Sequence, residues 1–410
     1  MKAISIFCCV SFSFSICAGL NAQSTVYNFL NLSPSPLING MGMAGAAMHT
    51  DDPAAFAFNP AHLGDISQSN TISFQFYPSA EKWPVYVYST IRNTSFNIGY
   101  NFKNMLNGLN LSVGLGYIRS KFDYGTFMEP YKGNWVNIDN YEQYDLYGLG
   151  IGIDYYVQFN IGFTYKAIYR QNFNYFQYGL ITNNNSAFDY GMLLKVPVTK
   201  LAFNNLNFEF TGGIPASAYL DISLGYSKLN SGDEVSYIDS DINYPLPRTA
   251  RLGYDISPAL SIKINNSALK LISYDFTVEA DDELIKQDSL NYNLSYQGFL
   301  GDINLGRNLF ELKSDDNVVI HVGHNINLLE TISFQIGRFN GRDYPASKSS
   351  GIGINTKGLF IFLKGFFHNN TFNFIADHLG IQYYKSYLFK NEPMETKFEG
   401  INLIWYGMEL

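Results

Sequence analysis

The side chains that could perform catalysis are few in this sequence, and their spacing does not assemble a reactive centre. A hydrolase needs a nucleophile, a general base and an orienting group that converge in space. His321 and His324 are three residues apart, which on a strand places them on opposite faces and makes them a poor metal pair. The sequence has no Gly-x-Ser-x-Gly motif and no ligand cluster with zinc spacing, so we predict no enzyme, no metal and no cofactor. The six histidines are His49, His62, His321, His324, His368 and His378.

Four carboxylates lie close together at Glu279, Asp281, Asp282 and Glu283. Carboxylate oxygens are the ligands that calcium prefers, so this run could bind that ion. Such runs more often form a solvated turn at the protein surface, and we favour that interpretation.

The composition is typical of a chain that alternates apolar and polar residues. The formal net charge of −8 over 410 residues argues against a nucleic-acid partner. Charged residues make up 15% of the chain and aromatic residues 16%, mostly Tyr and Phe. A tyrosine-rich soluble β protein has the same balance, so composition alone does not decide the fold.

Residues 1–22 have the pattern of a secretory signal peptide. Lys2 precedes an apolar stretch over 3–20, and Asn21-Ala22-Gln23 places the cleavage site near Ala22. The alternative is a membrane anchor, for which the stretch is short. The three cysteines lie in this leader, so we expect an exported chain without disulfides; they are Cys8, Cys9 and Cys17.

Three stretches show a strict two-residue period: LNLSVGLGY at 109–117, LGIGIDY at 149–155 and VQFNIGFTY at 157–165. Each therefore has one apolar face and one face of mainly Gly, Ser, Asn and Thr. The apolar faces would pack together in a soluble sandwich, or face lipid around a polar lumen in an outer-membrane barrel.

The length of the alternation favours the barrel. It continues for about nine residues, enough to cross a bilayer at a tilt, whereas soluble strands average about five or six. Several strands also carry Tyr near an end, as an aromatic girdle requires. We predict an all-β fold, an antiparallel transmembrane β-barrel over residues 67–410, with 14 strands favoured over 16. Longer polar stretches lie at 121–141, 171–186, 229–246 and 281–302, and most of them are predicted as loops.

The stretch EGINLIW at 399–405 resembles the terminal-strand signal read by the barrel-assembly machinery of the outer membrane. It departs from that signal because five residues follow Trp405 and the chain ends in Leu410. With the signal peptide, it predicts Sec-dependent export and location in the outer membrane of a Gram-negative bacterium.

Residues 41–64, MGMAGAAMHTDDPAAFAFNPAHLG, fit neither a helix nor a strand well. A 14-stranded barrel leaves interior space that its own side chains do not fill, and we predict that residues 23–66 fold back into it. Glycines would let the backbone approach the wall, and Asp51-Asp52-Pro53 and Asn59-Pro60 suit turns or a helix start. The alternative is an ordinary first strand over 41–50 followed by a periplasmic turn.

The same segment resembles the N-terminal signature of FadL-type outer-membrane barrels and is most similar to their PorV/PorQ branch. Residues 245–249 contain a Leu-Pro sequence that leads into the predicted strand with the stretch RLGY at 251–254. That branch has a similar Leu-Pro sequence before a strand in the middle of the barrel. The resemblance implies 14 strands, with residues from about 24 to 66 in the position of the lumenal hatch of FadL. The matching residues, with Phe29-Leu30 upstream, are Gly40, Met41, Gly42, Gly45, Asp51, Asp52, Asn59, Pro60 and Ala61.

The resemblance implies two functions of different classes. A PorV-like barrel assists type IX secretion by binding a secretion channel or a secreted cargo protein at the outer membrane. A FadL-like barrel transports long-chain fatty acids or other hydrophobic compounds. We predict the first and keep the second as the alternative, with outer-membrane lipid as a partner in either. A general porin would need charged constriction residues, and the regular strands contain few.

Overall fold

The strands pair antiparallel in chain order, and the first strand pairs with both the second and the last, so the sheet closes on itself. This computed structural model describes residues 26–82, 89–106, 109–131, 134–174, 179–210, 213–236, 243–264, 267–287, 294–342, 344–367 and 369–408. The predicted signal peptide at 1–22 lies outside these residues. Within them, the ring has fourteen strands, which confirms the predicted all-β barrel and its strand number.

The strands of the ring are β1 (Ile72–Phe76), β2 (Thr90–Asn101), β3 (Asn110–Tyr131), β4 (Asn134–Asp154), β5 (Gln158–Asn174), β6 (Gly179–Pro197), β7 (Ile214–Gly232), β8 (Thr249–Ile264), β9 (Ser267–Glu283), β10 (Val318–Leu328), β11 (Ile332–Gly341), β12 (Tyr344–Asn355), β13 (Leu379–Leu388) and β14 (Thr396–Trp405). Short strands outside the ring order are Glu81–Lys82, Leu206–Phe210, Val235–Ser236, Asn243–Tyr244, Ile285–Gln287 and Leu294–Tyr296. We call the end at which β1 begins and β14 ends the proximal rim, and the opposite end the distal rim.

The helices are short. The α-helices are α1 (Pro36–Gly40), α2 (His62–Ile66), α3 (Val198–Phe203), α4 (Thr356–Lys364) and α5 (Asn370–His378). Single 3₁₀ turns occupy Asn28–Asn31, Ala55–Ala57, Ser67–Ser69 and Phe102–Asn104, and a π-helical turn occupies Leu305–Phe310. None of the described helices has the length and apolar character needed to cross a membrane.

The two-residue period places apolar side chains outside the ring and small or polar ones inside. Leu115 of β3 lies opposite Leu149 of β4, which lies opposite Phe163 of β5, and all three are about half exposed on the outer surface. Their neighbours in sequence, such as Gly114 and Gly150, face inward. An outer surface of aligned Leu and Phe side chains belongs against lipid rather than water.

Two of the predicted loops are strands. β3 continues to Tyr131 and β4 begins at Asn134, so these two strands occupy most of the stretch 121–141. β5 and β6 likewise occupy most of 171–186. The loop prediction was wrong for these two stretches because it relied on their polar composition. A hairpin that extends past the lipid has water on both sides, so it pairs its backbone without keeping an apolar face.

The stretch 281–302 was also predicted as a loop, but β9 continues through Glu283. The chain that follows folds back over the outside of the wall. Phe299 stacks on the outward-facing Tyr226, with ring centroids 4.0 Å apart, and its carbonyl accepts a hydrogen bond from the Tyr226 hydroxyl at 2.7 Å. Tyr254 likewise donates to the Leu309 carbonyl. The apolar cluster so formed buries the outer face of β7–β10 near the distal rim.

Candidate functional site

Residues 26–69, here called the lumenal segment, lie inside the ring and contact every one of its fourteen strands. Residues 41–50 form turns and not a strand. Each strand has at least one residue in contact with the segment. Taken in order from β1 to β14, these contacts include Gln75, Ser95, Ser112, Gly148, Gly162, Met192, Ser227, Arg251, Glu279, His321, Gly337, Ser349, Gln382 and Gly400.

A stripe of glycines forms the seat of the segment. Five of them lie opposite one another across consecutive strands: Gly99, Gly114, Gly150, Gly162 and Gly191. A Cβ at any of these positions would collide with the lumenal segment, against atoms between Asn59 and Ser67. Because glycine has no side chain, the wall is flat enough there for two backbones to touch.

Asn59, Pro60 and Ala61 lie at the centre of this seat. The Asn59 side chain is fully buried and donates to the Ala46 carbonyl at 2.7 Å and to the Met192 carbonyl of β6 at 3.0 Å. Its oxygen accepts from the Ala61 amide at 3.0 Å, which fixes the turn into α2. One side chain therefore joins two parts of the segment to the wall.

Asp51 and Asp52 point in different directions. Asp51 accepts from Gln382 at 2.9 Å and from the Tyr406 hydroxyl at 2.5 Å, at the proximal rim. Asp52 is fully buried and accepts from the Ser35 hydroxyl and from Gln75 at 3.0 Å. Burial raises the pKa of Asp52 to about 6, and the hydrogen bonds from Ser35 and from the Ala54 amide offset only part of that effect.

The three predicted glycines approach different partners. A Cβ on Gly42, whose φ is +71°, would lie 2.8 Å from the Arg338 amide nitrogen of β11, and one on Gly40 would lie 3.0 Å from Gln335 Cβ. These two therefore bring the backbone to the wall. A Cβ on Gly45 would instead meet Ile38 of the segment itself, although the Gly45 amide donates to the wall.

A buried ionic cluster holds residues 42–46 against β8–β10. Glu279 accepts from the Gly45 and Ala46 amides at 2.8 and 2.7 Å, and its other oxygen pairs with Arg251 at 2.7 Å. Asp281 pairs with Arg251 at 3.3 Å and with His321 at 2.9 Å. The other ring nitrogen of His321 lies 2.7 Å from the Gly42 carbonyl, so both nitrogens face oxygen acceptors.

The acidic run was therefore interpreted wrongly as a solvated turn. Glu279, Asp281, Asp282 and Glu283 are buried residues of β9, and the first two serve the ionic cluster. The composition of the run resembles a turn, but its charges are matched by residues distant in sequence, Arg251 and His321. Among the described residues, no group of three or more His, Cys, Asp or Glu could hold a metal ion.

His321 and His324 lie on opposite faces of β10, as their spacing predicts. His321 faces the lumen, whereas His324 pairs with the Tyr274 hydroxyl at 2.7 Å and stacks near Phe276. His378 binds the Tyr406 carbonyl at 2.7 Å, and its neighbour Asp377 pairs with Lys364. The two adjacent residues thus act on different partners.

Two further histidines stabilise the segment. His49 pairs with the buried Asp65 at 2.5 Å. Burial alone would raise the pKa of Asp65, but His49, followed by Lys195 and His62, more than offsets this and holds it at about 2. Burial lowers the pKa of His62, whose ring nitrogen lies 2.9 Å from the Gly45 carbonyl.

The lumen on the distal side of the seat contains a cluster of buried apolar side chains, which the polar faces of the strands did not predict. The ring of Phe29 lies 4.7 Å from that of Phe122 and is stacked 6.0 Å from that of Tyr144. A residual cavity of about 10 Å³ beside Leu30 has room for one water molecule at most. The apolar wall residues that face inward in this region, here called the apolar chamber, are Ile118, Phe122, Tyr144, Leu146 and Ile168; Ser120 and Lys166 are buried on the same inward rows.

Sequence reasoning missed the residues of the wall that receive the segment. The glycine stripe was visible as the small residues of LNLSVGLGY and LGIGIDY, but its alignment depends on strand register. The pairing of Arg251 with Glu279 gave no signal, because an ion pair between neighbouring strands leaves no local pattern.

Comparison with known proteins finds barrels of similar architecture. No family model matches the chain, and no curated protein matches it. Solved structures that are similar include a mutant of the TodX monoaromatic hydrocarbon channel, at 11% identity over 92% of this chain and 100% of that one, with a TM-score of 0.41. The P. putida toluene transporter TodX (10% identity, 92% and 99% covered, TM-score 0.35) and a Pseudomonas aeruginosa FadL homologue (10%, 91% and 97%, 0.35) are also similar.

Proposed function

We propose that the protein is an outer-membrane barrel that passes small hydrophobic compounds through its lumen, with the lumenal segment as the hatch. The observation that carries this proposal is the apolar chamber. Barrels that conduct water and ions have polar interiors. Here Ile118, Leu146 and Ile168 face inward, are fully buried and belong to the same apolar cluster as Phe29 of the segment.

Phe29 and Leu30 occupy the chamber in the way that a ligand would. They are near the first described residue of the segment, Val26, whose amide donates to the Pro245 carbonyl at 3.2 Å. The central turn at Asn59 is fixed by three hydrogen bonds and the glycine seat. Withdrawal of residues 26–32 alone would therefore open an apolar site while the rest of the hatch stayed in place.

Reconstituted vesicles test this proposal. The purified protein is inserted into liposomes, and uptake of a fluorescent long-chain fatty acid is compared with uptake of a polar dye of similar size. Ile168→Thr makes the chamber wall polar and should slow uptake of the fatty acid several-fold. Ile404→Thr is the matched control, because Ile404 is an equally buried, inward-facing isoleucine near the proximal rim. Equal uptake by the two variants would contradict the proposal.

A second candidate is a PorV-like role in type IX secretion, and the β3–β4 hairpin favours it. This hairpin extends well past the lipid-facing rows and carries exposed apolar side chains at its end, Phe127, Met128 and Trp135. Exposed aromatic and Met side chains are typical of protein interfaces. Native mass spectrometry of protein gently extracted from outer membranes separates the two functions. A co-purified large barrel or cargo protein supports secretion, and a bound apolar small molecule supports transport.

A further inference from the structure

The connection between β12 and β13 at the proximal rim is a helical hairpin. The turns between β4 and β5 and between β10 and β11 at the same rim each need only three residues. Here the connection is 23 residues long and contains α4 and α5. Each helix begins with an asparagine cap: Asn355 accepts from the Lys357 amide and Asn369 from the Thr371 amide, both at 2.9 Å. The caps show that the local sequence specifies where each helix begins, so the connection is not an irregular loop.

Helix α4 has apolar residues on both its buried and its exposed side. Ile361 and Gly358 are buried against the barrel. On the other side, Leu359, Phe362 and, just past the helix, Phe366 are 44, 45 and 67% exposed. Large apolar side chains that are grouped and exposed on one helix side are unfavourable in water and mark a surface that meets an apolar partner. The outer side of this hairpin is therefore not adapted to water.

The hairpin meets the barrel on its lipid-facing surface. The ring of Phe374 lies 5.7 Å from that of Trp405, which faces outward, since its neighbour Ile404 is buried inside. At the other end, a Cβ on Gly365 would lie 3.2 Å from Ile264. The exposed apolar side of the hairpin thus continues the apolar surface of the barrel wall.

We propose that α4 and α5 lie in the membrane interface at the proximal rim and insert their exposed Phe side chains among the acyl chains of phospholipids. Nine-residue helices are about 13 Å long, against a hydrocarbon core of about 30 Å, so they must lie along the surface. The polar end of the hairpin, with Asn369 and Asn370 exposed, would remain among the headgroups. This inference depends on the barrel's membrane location and not on the compound that it passes.

Site-directed spin labelling tests the depth of the hairpin. All three cysteines lie at positions 8–17, so the chain without its predicted leader carries no thiol before a single cysteine is introduced. Labels at Phe366→Cys and Phe374→Cys are compared in vesicles of phosphatidylethanolamine and phosphatidylglycerol. Leu149→Cys on the outer wall is the lipid control, Met128→Cys on the β3–β4 hairpin is the aqueous control, and Asn370→Cys is the control within the hairpin.

The ratio of collisions with oxygen to collisions with a water-soluble nickel chelate measures the outcome. We expect this ratio at 366 and 374 to exceed the ratio at 128 several-fold and to approach that at 149, with 370 between them. A ratio at 366 equal to that at 128 would overturn the proposal, as would a label that neither reagent reaches, which indicates contact with a second copy. A low ratio at 149 would instead refute the membrane location itself. Heat-modified electrophoretic mobility verifies folding, and Phe362→Cys replaces any variant that does not fold.

Discussion

Arg251 of β8 and Glu279 of β9 form a fully buried ion pair, 2.7 Å from Nη1 to Oε1, at the point where the barrel wall holds the lumenal segment. Glu279 also accepts from two consecutive amides of that segment, so one carboxylate satisfies both a wall cation and the Gly45–Ala46 backbone. A negative charge shared in this way couples the position of the segment to the pairing of the two strands.

Glu279→Gln should loosen the segment. It leaves Arg251 with only Asp281 as a buried counter-ion, and breaking a buried pair costs about 3 kcal/mol. We expect lower stability in urea unfolding from lipid vesicles and greater sensitivity of producing cells to a large antibiotic such as vancomycin. Glu311→Gln is the control, because Glu311 pairs with Lys313 on the exposed surface and should change neither readout. Unchanged permeability in a folded Glu279→Gln barrel would show that the pair does not hold the segment.

Gly162→Ala tests the glycine seat. The added methyl group would fall against the Pro60 carbonyl, which is backbone and has little room to move. Overpacking of this kind costs about 1–3 kcal/mol. We expect vancomycin sensitivity to rise as the segment is displaced. Gly298→Ala is matched to it, since nothing lies within 4 Å of a Cβ at that position. If cells that produce the Gly162→Ala variant are no more sensitive to vancomycin than cells that produce the wild type, the seat has more room than its geometry indicates.

The sequence predicts the barrel well because the residue pattern of each strand depends only on the surroundings of that strand. The alternation at 109–117 and 149–165 depends only on which side of one strand faces lipid, so it could be found without knowing the neighbours. The lengths of β3 and β4 could not be found in this way. Outside the lipid both faces meet water, and the two-residue period disappears although the strands continue.

The contacts of the lumenal segment were only partly predictable. Asn59 and Pro60 carry a local turn signal, so sequence alone placed a structured element there. Their partners on the wall, Gly162 and Met192, are more than 100 residues away and become neighbours only through strand register. The acidic run shows the same limit, since Glu279 is matched by an arginine on the preceding strand.

Asp52→Asn should make the stability of the barrel less dependent on pH. The folded pKa of Asp52 is about 6, above its ordinary value of 3.8, so the contribution of this side chain to stability is fully present below about pH 4 and is lost as the pH rises through 6. A shift of roughly two pKa units corresponds to about 3 kcal/mol. Asparagine keeps the oxygen that accepts from Gln75 and can donate to Ser35, so it avoids the buried charge.

The measurement is urea unfolding of both proteins from lipid vesicles at pH 4 and pH 7.5. We expect the free energy of unfolding of the variant, relative to that of the wild type, to rise by about 3 kcal/mol from pH 4 to pH 7.5. Most of this change should occur between pH 4 and 6. Other titrating groups cancel in this difference. A difference that does not vary with pH would mean that Asp52 ionises as freely in the folded barrel as in the unfolded chain.

Replacing Asn59-Pro60 with Ala-Ala should release the centre of the segment. The change leaves the buried Ala46 carbonyl without its side-chain donor, at about 1–3 kcal/mol, removes the hydrogen bond to the Met192 carbonyl, and removes the turn that starts α2. We expect vancomycin sensitivity and single-channel conductance in planar bilayers to rise together. Asn369→Ala is the control for stability alone. It removes the cap of α5 at the proximal rim, which costs about 1 kcal/mol, without touching the segment. If both variants leak equally, the leak reports general loss of stability and not the hatch; if only the Ala-Ala variant leaks, Asn59 and Pro60 close the lumen.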